Sequence, residues 1–325
     1  MRMRAKNDTR HPLNPDAGSG RPLHSSTSGE DSIEPLLEEI RQKHGEALQA
    51  ILVYGSWLRG KRDTMLDFYV LVEDYRTLDS AWQGWMCKLL PPNVYHIHHT
   101  SDQPQPDSHE LRAKYALLTL DRFCEAMKSD FHSYFWARFA QPCKVLYARD
   151  ERTQNQLKEA FSNAAANFIN RVLPTMENSF SSEQLWTHGL ALTYQCELRT
   201  ESSNRGESIY DFNPGYYDEI TRSFAATSAT LNATDNDNTY RRQSSGFAVK
   251  KSAFSWWARR VQGKVLSVMR LFKAAFTFNE PLEYLLWKIE RHSGIYIAPT
   301  RRQLEHPLIF AWPSLWKLHR RGAFR

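Results

Sequence analysis

Gly55 and Ser56 close one apolar run, Ile51 to Tyr54, and Asp67 stands near the start of the next, Leu66 to Val72. The segment between the two runs is polar and basic, with Arg59, Lys61, Arg62 and Asp63. Each residue type has a use in phosphate chemistry. Glycine lets the backbone come close to a polyphosphate. Serine and the exposed N–H groups of a turn bind phosphate oxygens. A carboxylate on the adjoining strand holds Mg²⁺, which neutralises phosphate charge and orients the chain for in-line attack.

Strand, Gly-Ser turn and strand-borne acid are the outline of a nucleotidyltransferase site. That pattern ordinarily carries two acids separated by one residue on the second strand. Here the register runs Asp63, Thr64, Met65, Leu66, Asp67, and Met65 stands in the place of the first strand acid. One carboxylate holds Mg²⁺ poorly, so Asp67 needs a partner. Asp63 is the nearest candidate in sequence; Asp107 and Glu110, ahead of Lys114, are the later ones. Lys114 opens an apolar run and can act as a point cation on a triphosphate. The competing reading is an ordinary turn in another α/β domain, with Asp67 a solvated strand start and Lys114 a strand-end lysine.

The wider order of motifs resembles that of the mitochondrial-type phosphatidate cytidylyltransferases, soluble enzymes that make CDP-diacylglycerol. The matching residues are Tyr54-Gly55-Ser56, then Met65-Leu66-Asp67-Phe68 with the same loss of the first acid. Val94-Tyr95-His96, Lys114-Tyr115-Ala116, the segment Ala137 to Lys144 and the triplet Glu197-Leu198-Arg199 follow in order. The resemblance covers roughly Gln49 to Arg199. It departs at Ala116, where the family has Gly, and at Glu197, where it has Asp; Ser223 to Ser245 does not align. The resemblance implies a bacterial member, and an α+β protein whose nucleotidyltransferase-type mixed sheet is followed by a winged-helix-like domain. It implies Mg²⁺ as cofactor, CTP and phosphatidate as substrates, and Asp67 and Lys114 as catalytic residues, with Asp67 on the metal; Asp63 joins it there only as the nearest acid in sequence. Tyr54, Gly55, Ser56, Glu197 and Arg199 would contact nucleotide or phosphate.

Composition sets the outer limits. The chain of 325 residues is long enough to bury a core in two or three domains. Its four cysteines, Cys87, Cys124, Cys143 and Cys196, are widely spaced and form no CxxC pair, so they read as buried thiols. No apolar run reaches the ~20 residues of a spanning helix. The net charge of +6 is unevenly placed: from Lys250 onward there are 15 Lys and Arg against 4 Asp and Glu. A basic, Trp-bearing segment on an acidic body points to a polyanionic partner. For a lipid substrate that partner is an anionic membrane surface, with Trp256, Trp257 and Trp312 at the interface; nucleic acid is the less favoured one. The expected location is the cytoplasm, peripheral on the inner face of the cell membrane, or alternatively the matrix side of the mitochondrial inner membrane.

Hydrophobic periodicity divides the chain further. Residues 1–31 are rich in turn formers and read as a disordered tail. Residues 32–124 alternate strands (Gln49 to Tyr54, Leu66 to Val72, Val94 to His99, Lys114 to Leu120) with a helix near Leu78 to Leu90, as a nucleotidyltransferase core would. Residues 125–224 read as a mainly helical second domain, with Lys144 to Tyr147 as a short strand. Residues 225–252 read as a polar linker. Residues 253–325 read as a basic amphipathic region, its first helix near Phe254 to Phe276 and two further helical pieces from Pro281 and Pro307. His96, His98 and His99 lie on one strand, but no third ligand is placed near them, so they read as strand surface. Two alternatives to the cytidylyltransferase remain at this level: a nucleotidyltransferase acting on RNA or a small acceptor, and a degenerate, non-catalytic lipid- or nucleic-acid-binding module.

Overall fold

The computed structural model describes residues 33–60, 65–76, 78, 81–99, 111–197, 205–234, 238–243 and 246–277. The expected tail, the pieces from Pro281 and Pro307, and Trp312 lie outside them. So do Lys61, Arg62, Asp63, Asp107, Glu110 and Arg199.

The chain is an α+β protein built on a mixed sheet of five strands in the order β3-β4-β2-β1-β5. These are β1 (Leu48–Tyr54), β2 (Leu66–Val72), β3 (Asn93–His99), β4 (Leu111–Thr119) and β5 (Cys143–Ala148). Only β2 and β4 pair in parallel; the other neighbours are antiparallel. β1 and β2 are central and almost wholly buried, which is why both read as unbroken apolar runs rather than as alternating ones.

Period-two alternation assigns the two faces. Phe68, Val70 and Val72 join Ile51, Val53, Tyr115 and Leu117 under helix α1 (Glu34–His44), which contributes Leu36, Leu37 and Ile40. Tyr69 and Leu71 join Leu52, Ala116 and Leu118 on the opposite face, against a helical layer rich in aromatic residues. That layer holds α3 (Leu120–Ser129), α4 (Trp136–Phe139), α5 (Glu151–Val172) and α6 (Ser182–Tyr194); α2 (Ala81–Leu89) lies earlier, ahead of β3. Its caps are explicit in the sequence. Asp150 accepts from Thr153 N at the start of α5, and Ser181 with Gln184 forms a capping box on α6.

The stretch expected to be a polar linker is structured. After α7 (Arg205–Tyr210) and α8 (Pro214–Thr227) come β7 (Leu231–Ala233) and β8 (Thr239–Arg242). With β6 (Ser179–Ser181) they make a second sheet in the order β6-β8-β7. Two buried residues, Leu231 and Tyr240, anchor it in the core; in so polar a segment they were too few to give a periodic signal.

The last described helix, α9 (Gly246–Thr277), begins before the expected boundary and packs on the body. Trp256 is 1% exposed; its Nε1 donates to Arg171 O, and its ring meets that of Trp136. Its expected place at a membrane interface is therefore corrected: it is a core residue. Trp257, one position on, is 57% exposed. Among the described residues no helix is long and apolar enough to cross a membrane.

Candidate active site

One row of the sheet carries most of the expected site. Asp67 lies opposite Tyr54 on one side and opposite Lys114 on the other. Lys114 in turn faces His96. Residues directly opposite on neighbouring strands share a face, here the face under the helical layer.

Lys114 Nζ lies 2.9 Å from Asp67 Oδ1. This is an ion pair by distance without the angles of a hydrogen bond, so the buried Oδ1 accepts none. The other oxygen, Oδ2, sits 3.5 Å from the point where a Cβ on Gly55 would be. Gly55 has φ +87°, a left-handed conformation. The conformation is what favours glycine here; a Cβ would make only ordinary van der Waals contact with Asp67. Beyond it the chain turns twice, with Arg59 N donating to Ser56 O and Gly60 N to Trp57 O. Arg59 comes close enough to α8 to oppose the upward shift that burial imposes on the Tyr217 phenol.

Behind this row lies a cluster centred on Arg138, which falls in the matching segment Ala137 to Lys144 but was given no role from the sequence. Arg138, on the one-turn helix α4, donates from Nη1 to Tyr69 Oη at 2.9 Å and from Nη2 to Glu197 Oε1 at 3.3 Å. Its guanidinium stands 4.2 Å from the centroid of the Tyr134 ring and 5.6 Å from that of Tyr54. Burial opposes its charge, but Tyr69, Tyr134, Tyr54 and Glu197 outweigh that and hold its pKa well above the usual value. Burial likewise raises the Tyr69 phenol. The signal available in the sequence was a single cation inside Phe135 to Phe139, an otherwise apolar segment.

Of the expected site residues, Tyr54, Gly55, Asp67 and Lys114 are adjacent, and Ser56 follows in the turn. Glu197 joins them through Arg138. It stands in the turn after α6, which ends at Tyr194. Asp63 and Arg199 lie outside the described residues, as do the later candidate acids. His96 and His98 are exposed on β3, beside Lys114 and Arg112.

A Mg²⁺ ion fits what is present. Mg²⁺ is commonly held by one or two carboxylates together with substrate phosphates and water. Asp67 supplies one carboxylate, whose Oδ1 is paired with Lys114 and would exchange that partner for the ion. Among the described residues no group of three or more His, Cys, Asp or Glu could hold a metal by itself. The site is thus suited to an ion that arrives with a polyphosphate.

A cleft of about 790 Å³ lies elsewhere, past the far ends of β2 and β4, lined by Tyr75, Trp85, Thr119 and Arg122 among others. Its acid, Asp74, is held by Arg76, and Arg122 by Asp130. It offers structural ion pairs rather than groups for chemistry.

No protein-family model matches the chain, and no curated protein matches it.

Proposed function

We propose that the chain is a CTP:phosphatidate cytidylyltransferase with a nucleotidyltransferase-type sheet. The observation that carries the reading is the Asp67–Lys114 pair set against the left-handed Gly55. A carboxylate, a lysine paired with it and a left-handed backbone turn are what a metal-bound triphosphate needs on one side. The three-strand sheet beside the helical layer supports a winged-helix-like second unit.

In the proposed reaction a phosphatidate oxygen attacks the α-phosphorus of CTP. The new P–O bond forms as the bond to pyrophosphate breaks. The turn at Gly55 and Ser56 receives phosphate oxygens. Lys114 lies where it can release Asp67 to a cation and turn its charge to the triphosphate. Arg138 adds a fixed positive charge behind them. Little covalent work is asked of the side chains; positioning and charge neutralisation dominate. Mg²⁺, when bound through Asp67, supplies further charge neutralisation on the phosphates.

The C-terminal helix supports the lipid half of the reading. Phe254, Trp257, Val261, Val265, Val268 and Met269 are exposed along one side of α9. Lys250, Lys251 and Lys264 are exposed around them. An apolar stripe flanked by lysines suits an anionic bilayer. The reading has the protein peripheral on the cytoplasmic face of the cell membrane.

The test is pyrophosphate release by the full chain with each nucleoside triphosphate and Mg²⁺, with and without phosphatidate vesicles. Release that requires both CTP and phosphatidate is the expected result. Release that depends on RNA, or on no lipid at all, would overturn the acceptor. No release and no Mg²⁺-dependent nucleotide binding would make the chain a binding module.

A further inference from the structure

Helix α9 turns Arg259, Arg270 and Lys273 inward beside Trp256 and leaves an apolar stripe outward, unlike an ordinary surface helix. Gly263 makes this docking possible: a Cβ there would stand 2.1 Å from Cys196 O and 2.8 Å from His132 Nε2. Two inward arginines, Arg259 and Arg270, are held by backbone carbonyls and rings and form no ion pair with a described residue. Arg270 reaches the cluster behind Asp67. Its Nε donates to Pro91 O at 3.2 Å. Its guanidinium stands 3.9 Å from the centroid of Tyr134, the same ring that Arg138 approaches at 4.2 Å. Its Nη1 is buried and donates to nothing among the described residues.

Among the described residues, the cations around Tyr134 outnumber the acids. Arg138 and Arg270 share one described acid, Glu197, which is already bonded to Arg138. His132, whose ring stacks on that of Tyr134, is kept neutral by burial and by Arg270. A buried, uncompensated guanidinium with an idle N–H group costs several kcal/mol of stability. Proteins retain such costs where function uses them.

We propose that Arg270 belongs to the ligand site: its free Nη1 donor receives an anionic oxygen of the polyphosphate, beside Arg138. The C-terminal helix is then part of the nucleotide site as well as the membrane-facing element. The Tyr134 ring and the Pro91 carbonyl fix the guanidinium in place, so little rotamer freedom remains to be lost on binding. This rests on the proposed polyphosphate chemistry and deepens it.

The experiment uses the full chain without lipid. Binding of inorganic pyrophosphate and of Mg²⁺·CTP is measured by calorimetry for wild type, Arg270→Gln and Arg270→Lys, at two salt concentrations, together with melting of each apo protein. Arg270→Gln is expected to bind both ligands at least about tenfold more weakly, the worth of one charged hydrogen bond. Its binding should also depend less on salt, while its apo form melts at or above wild type. Arg270→Lys keeps the charge and should recover part of the loss. Wild-type affinity in Arg270→Gln, or a loss that merely follows a lower apo melting temperature, would overturn the inference and leave the cytidylyltransferase reading standing. Arg270-dependent binding of pyrophosphate without binding of CTP would support the anion site and overturn that reading. Binding of neither ligand by wild type would overturn both.

Discussion

Asp67 and Lys114 are direct partners on the two parallel strands of the sheet, and Lys114 Nζ lies 2.9 Å from Asp67 Oδ1. They stand 47 positions apart in sequence, yet the β2–β4 register sets them side by side. Each holds the other in the absence of ligand, and each has a separate use once a metal-bound polyphosphate arrives.

Substituting Asp67→Asn should therefore reduce pyrophosphate release by ~100-fold or more, the scale of losing one preorganised electrostatic group. The volume is almost unchanged, so the thermal melt should stay close to wild type. Lys114→Ala should weaken CTP use more than phosphatidate use. Near-normal turnover of Asp67→Asn at saturating Mg²⁺ would remove the whole row from the site.

Gly55→Ala probes the same place from the backbone side. At φ +87° a Cβ costs roughly 1–2 kcal/mol, and it would stand in van der Waals contact with Asp67 Oδ2. The melting temperature should fall by about 2–4 °C for each kcal/mol lost, and CTP affinity should fall with it. A variant with unchanged melting and unchanged CTP affinity would mean that the turn relaxes freely and does not shape the site.

What could be read from the sequence divides along physical lines. Five sheet strands and the longer helices follow from hydrophobic period and length, because their burial is continuous. β7 and β8 escaped because short strands in a Ser-, Thr- and Asn-rich stretch need only Leu231 and Tyr240 to anchor them. In the site, Gly55 and Asp67 were legible because a turn and a strand acid lie close in sequence. The Asp67–Lys114 contact needed the parallel register, and the Arg138–Tyr134–Arg270 stack needed tertiary packing. The amphipathic period of α9 was legible, but not that Trp256 would enter the core. Val261, Val265 and Val268 would ordinarily face a core, and they face outward.

Lys273 gives the structure a measurable alkaline signature. It is buried and donates to Leu90 O at 2.6 Å and to Pro92 O at 3.0 Å. Burial pulls its pKa from 10.5 down to about 8. A lysine with a lowered folded-state pKa binds fewer protons folded than unfolded between those values, so stability rises with pH there. The cost of its charge is present in full below pH 8 and is relieved as pH rises toward 10.5. Compared with Lys273→Met, the wild-type chain should gain stability across that window, by up to about 3 kcal/mol. A constant difference between the two proteins from pH 7.5 to 10.5 would show that Lys273 keeps its charge throughout.

The outward stripe of α9 carries the last prediction. Deleting the C-terminal region would be a poor test, because it removes Trp256 from the core and Arg259 from Phe131 O. Point changes on the exposed side avoid this. Trp257→Ala and Val265→Asp alter side chains that are 57% and 53% exposed and should leave the melt within about 0.5 kcal/mol of wild type. Both should weaken flotation with anionic vesicles. Trp257→Ala removes interfacial aromatic surface, and Val265→Asp places a negative charge against anionic headgroups. Vesicle binding by wild type should also weaken as salt rises, since exposed charges are screened beyond ~10 Å at 0.1 M. Pyrophosphate release on detergent-dispersed phosphatidate should be nearly unaffected in both variants, while release on vesicles falls. If both variants float like wild type, the stripe does not meet the bilayer, and the lysine-flanked face of α9 has another occupant.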